Sequence, residues 1–65
     1  MTTEMMDKLT RNIEIYARHY VNANSEHVAE LNYNIAMGYI DAVEDIYGKE
    51  AAETLKKRLG EIALN

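Results

Sequence analysis

The sequence contains no cysteine, so no disulfide can staple the fold and zinc sites built on thiolates are excluded. Proline is also absent, and glycine occurs only at Gly38, Gly48 and Gly60. A fold of many short strands needs far more turn punctuation than that, which leaves an all-helical chain. No apolar run approaches the roughly 20 residues that cross a bilayer, and the start Met1-Thr2-Thr3-Glu4 lacks the basic end and apolar core of a secretory leader. A cytoplasmic location, away from membranes, is the expectation. A basic excess is missing too: eleven acids stand against seven bases, for a net charge of -4. Phosphate backbones are bound by concentrated basic faces, so the charge argues against nucleic acid as the partner.

The chain has 65 residues, 48% of them hydrophobic and five of them tyrosine, too apolar for an acidic disordered segment. It reads as a single helical domain spanning residues 1–65, without internal repeats. A chain of this size hides only about 60% of the surface its unfolded form exposes, and its core seldom yields more than about 3 to 5 kcal/mol. With no staple available, tight helix packing and self-association are the remaining routes to stability.

The first helix is predicted over roughly 3 to 21. Thr2 or Thr3 can cap it, and Glu4 and Asp7 sit where the positive end of the helix dipole favours acids. Met6, Leu9, Ile13, Tyr16, Ala17 and Tyr20 recur at spacings of three and four. Asp7 with Arg11 and Glu14 with Arg18 stand as acid-then-base pairs on the opposite side. Ile15 lies off the stripe. Asn22, Ala23 and Asn24 break the helix, and a link this short makes the next helix run back antiparallel.

That next helix, 25 to 47 with Asn24 or Ser25 as its cap, organises the rest. Val28, Leu31, Ile35, Tyr39, Ala42, Val43 and Ile46 fall on one side, and Ala29, Ala36, Ile40 and Tyr47 widen the apolar arc to roughly 220°. Such a helix needs two covers. Ile35 is expected at the centre of the buried face, so that Ile35→Asp would unfold the chain. Gly38 is expected to mark the close approach of a neighbouring helix. Met37 is expected to project from the polar strip without a partner in its own chain. Gly48 suits the C-terminus of this helix, and a shorter third helix over 49 to 63 presents Ala52, Leu55, Leu59, Ile62 and Ala63 as the second cover. The fold class expected is therefore all-α: an antiparallel hairpin plus a shorter third helix, as a three-helix bundle or a dimeric helical bundle.

Little here points to chemistry. The only serine, Ser25, stands where a cap is wanted, no threonine has a histidine nearby in sequence, and no glycine-rich phosphate loop occurs. So small a bundle leaves little room for a pocket of the usual ~300 Å³ or more. Asp41, Glu44 and Asp45 have a spacing that could hold a hard cation, but bundle metal sites point inward and no Glu-x-x-His pair is present. His19 and His27 flank the first connection and read as a surface pair. The chain is expected to be no enzyme and to use no cofactor or metal.

The stronger indication is apolar. Ile15, Met37 and Leu64 fall off their helices' stripes, and tyrosines such as Tyr33 and Tyr39 exceed what three short helices need in order to pack. Tyrosine and methionine are enriched where proteins meet. These five residues form the candidate partner interface. The expected function is a small acidic interaction module that pairs with itself as a homodimer and binds another protein in an accessory or regulatory role. Two rivals stand beside it. The acidic face of Glu30, Asp41, Glu44 and Asp45 could imitate nucleic-acid phosphates, as in an inhibitor of the phage type. Alternatively the third helix could read DNA as part of a helix-turn-helix, although its first turns carry Glu50 and Glu53. In composition alone, the segment from Asp41 to Arg58 resembles small bacterial or phage accessory proteins.

Overall fold

Three helices form the computed structural model, which describes residues 3–64: α1 (Thr3–Val21), α2 (Glu26–Tyr47) and α3 (Lys49–Ala63). Thr3 is the first helical residue of α1, with Glu4 in the first turn; Thr2, the other expected cap, lies outside the described residues. Ser25 caps α2: its backbone is extended, at φ -145° and ψ 156°, and its Oγ accepts a hydrogen bond from Val28 N–H at 3.2 Å. That bond satisfies one of the donors a helix start leaves open.

Gly48 alone separates α2 from α3. Its N–H donates to Glu44 O at 3.0 Å, and its own carbonyl accepts from Ala52 N–H at 3.3 Å, so it ends one helix while starting the next. The backbone there has φ 102° and ψ 171°. This is an extended conformation of the wrong hand for L-residues, not the left-handed helical one, and it belongs essentially to glycine.

The folded chain measures 37 × 16 × 16 Å. A cross-section of 16 Å cannot hold the 15-residue α3 crosswise, because at 1.5 Å per residue that helix is about 22 Å long. All three helices therefore run along the long axis, with α2 antiparallel to the other two.

Ile13 and Ala17 of α1, Ala36, Ile40 and Val43 of α2, and Ala52, Leu55 and Leu59 of α3 form the buried core. Their small and branched side chains let three helices approach closely around one axis. Met6, Leu9, Tyr16, Tyr39, Tyr47 and Ile62 close its ends and sides.

Four expectations need correction. The side of α2 that groups around Ile35 is not the core: Ile35 is 36% exposed, while Ala36, Ile40 and Val43, on the other part of the arc, are buried. The cause is that α1 and α3 both dock on that other part. Gly38 is not a close-approach site within the chain, since a Cβ placed on it would meet nothing within 4 Å. Met37 is half-buried against the core on the side facing α3, not adrift in the polar strip. Finally, Glu14 reaches across to α3, where its Oε2 accepts from Arg58 Nε at 2.9 Å, leaving Arg18 one turn away.

These placements separate two isoleucines of one helix. Ile40→Asp puts an unpaired charge at a fully buried position, a loss comparable with the whole stability of the domain, and is expected to abolish the helical circular-dichroism spectrum. Ile35→Asp is expected to keep that spectrum. Gly48→Ala introduces a side chain where only the backbone conformation objects, and urea unfolding should report a loss of about 1 to 3 kcal/mol.

Candidate interaction surface

The helical periodicity of 100° per residue divides each helix of the hairpin into sides. On α1, Glu14 marks the side facing α3, through its bond to Arg58. Tyr16 marks the side facing α2, by stacking on Tyr39 with ring centroids 5.9 Å apart. On α2, Tyr39 faces α1, while Tyr33 and Met37 face α3, with which they line a common groove. Among the described residues, no helix lies on the remaining broad face of the hairpin, opposite α3.

That bare face carries the exposed aliphatics. Val28 is 43%, Leu31 53% and Ile46 41% exposed, beside Ile35 on the same side of α2. With half-buried Ala42 they fall within about 60° of one another around the helix, a continuous stripe from one end of α2 to the other. Ile15, 43% exposed, adds to the face from α1, among Lys8, Asn12 and His19. Near the hairpin turn the two helices part into a shallow hollow lined by His19, Asn22, Ala23, Asn24, Val28 and Asn32. Asn32 does not disturb the stripe, because its Nδ2 donates to Val28 O at 2.9 Å. Soluble chains scatter single exposed aliphatics freely. A contiguous stripe rimmed by polar residues is what marks a contact surface.

The five residues expected at an interface separate into two groups. Ile15 belongs to the bare face, and Tyr39 lies half-buried between α2 and α1 at its margin, against Tyr16. Tyr33, Met37 and Leu64 surround a groove of about 310 Å³ on the other side of α2, together with Tyr20, Lys56, Leu59, Gly60 and Ala63. This groove exceeds the room expected in so small a bundle. Its origin is a length mismatch: α3 has 15 residues and α2 has 22, so α3 stops about 10 Å short and leaves Tyr20 and Tyr33 in contact above its end, ring centroids 5.5 Å apart and ring planes tilted by 53°. No serine, threonine or histidine lines the groove.

Val28, Leu31, Ile35 and Ile46 are the surface residues that periodicity alone assigned to the core. The arc of roughly 220° already held the clue, since an arc so wide outruns what two adjacent neighbours can reach.

Glu30, Asp41, Glu44 and Asp45 are all exposed and share the edge of α2 away from α1. His19 and His27 line separate hollows, the latter with Glu30, Leu31 and Asn34. Among the described residues no three histidine or carboxylate side chains gather as a metal would need. The single-residue link at Gly48 is shorter than the three- or four-residue turn of a helix-turn-helix, and Glu50 and Glu53 at the start of α3 are exposed. Among the described residues no helix is long and apolar enough to cross a membrane.

No family model, curated protein or solved structure matches this chain, so its own surface has to carry the functional argument.

Proposed function

We propose that this chain is a small acidic, non-enzymatic interaction module that self-associates and serves as an accessory or regulatory protein, with the bare hairpin face as its binding surface. The observation carrying the reading is the stripe of Val28, Leu31, Ile35 and Ile46, exposed along the whole of α2 in a chain too small to afford wasted apolar area. Covering the stripe removes apolar surface from water at roughly 25 cal/mol per Å², a gain the isolated chain forgoes. The groove beside Tyr20 and Tyr33 has no serine, threonine or histidine among its described lining residues, and Ser25 serves as a cap, so neither supplies a hydroxyl activated by an imidazole.

Light scattering across a dilution series tests the reading. The expected mass at high concentration is about twice 7.5 kDa, falling toward 7.5 kDa on dilution, and Ile35→Asp should hold the smaller mass throughout. A chain at 7.5 kDa at every concentration would remove self-association from the proposal. Passage through a DNA column at low salt is expected as well, since retention that weakens steeply with salt is the mark of phosphate contacts.

A further inference from the structure

We infer that the occupant of the hairpin face is a second copy of this chain, related by a twofold axis that lays α2 antiparallel on the α2 of its partner. The inference rests on reading that face as the interaction surface and adds the geometry of the pairing. A twofold interface joins a patch to itself, so the patch must be complementary to its own reversed image. The α2 stripe has this property. Its members stand symmetrically, to within about a residue, around the Ala36–Met37 peptide: Val28 against Ile46, Leu31 against Ala42, Ile35 against Gly38. An antiparallel twofold through that point sets Val28 on the partner's Ile46, Leu31 over the partner's Ala42 and Ile35 over the partner's Gly38.

In the last two of these pairs a large side chain meets a small one, which lets facing ridges interlock at close approach. Gly38 thereby acquires a purpose that its own chain does not supply, since it is exposed and has no neighbour for a Cβ to strike. The edge of the stripe agrees. His27 and Asp45 lie at the same angle around α2 and about equally far from its midpoint, so the antiparallel arrangement places His27 beside the partner's Asp45, twice. A parallel arrangement of the two α2 helices would carry Asp45 and the partner's Asp45 to opposite edges of the interface and leave neither beside a histidine. A twofold axis along the helices would instead lay the stripe on the partner's α1, burying aliphatics against Lys8, Asn12 and His19 without partners for those groups.

The whole hairpin face, 37 by 16 Å, is about 600 Å² per copy with its α1 edge included; the α2 stripe is only part of it, so the pair falls below the usual range for stable interfaces and should dissociate on dilution.

The absence of native cysteine makes crosslinking a clean test on the full chain. Val28→Cys and Ile46→Cys are prepared separately and equilibrated in a glutathione redox buffer, alone and mixed. The two sites lie about 27 Å apart along one helix, so in the antiparallel pair neither variant can crosslink to itself. A covalent dimer from the mixture alone is the expected result. A covalent dimer from Val28→Cys by itself overturns the antiparallel arrangement. So does failure of the mixture to crosslink while sedimentation equilibrium still reports a dimer, and in that case the reading of the face as an interface survives. A monomer in sedimentation at every concentration overturns both.

Gly38→Leu supplies a second readout. It should keep the helical spectrum and raise the dimer dissociation constant at least about 100-fold, because the partner's Ile35 loses its hollow. An unchanged constant overturns the pairing of Ile35 with Gly38.

Discussion

A helix that is apolar over more than half its circumference cannot be hidden by two neighbours that touch it on adjacent sides. In a triangle of three helices with similar interaxial distances, the neighbours approach from directions only about 60° apart. α2 meets this limit directly. Ala36, Ile40 and Val43 turn into the triangle and are buried, while Val28, Leu31, Ile35 and Ile46 stay out. Every other feature of the surface follows from where that boundary falls. The bare face is the broad side of the hairpin opposite α3, because α3 packs against α1 and α2 from one side only.

The connection at Gly48 determines which place α3 takes. A single residue between two helices leaves the chain no slack, so the direction of α3 is set by the backbone angles of that residue. Because those angles are open only to glycine, the reversal is encoded locally, and α3 folds back along the bundle instead of crossing it. The ion pair from Glu14 to Arg58 at 2.9 Å then ties α3 to α1 on the side away from the bare face. It is partly exposed and contributes little net stability, but it shows how the polar edges of α1 and α3 are aligned. The shortness of α3 has a separate effect, the groove beneath Tyr20 and Tyr33.

The elements themselves were legible. Three helices, the cap at Ser25, the break at Asn22 to Asn24 and the turn at Gly48 are local features, decided by capping chemistry, propensity and backbone freedom within a few residues. The division of α2 into a buried and a bare side was not legible in the same way. A wheel shows that residues share a side but not from which angle a neighbour arrives. The side shared by Val28, Leu31, Ile35, Ala42 and Ile46 was the natural choice for the core, and Ile35 sits in the middle of it. Met37 escaped for the complementary reason: it lies beyond the edge of the arc, and only the arrival of α3 half-buries it.

For this protein the sequence by itself determined the helices, their boundaries and the antiparallel course of the first two, because periodicity, caps and a three-residue break act over distances of one or two turns. Its composition also determined that the chain would carry more apolar surface on α2 than a single companion could cover. The tertiary structure alone decided which part of that surface is core and which part faces outward. That choice depends on where two other helices can pack at once, a constraint set by volume and chain connectivity that no residue of α2 carries alone.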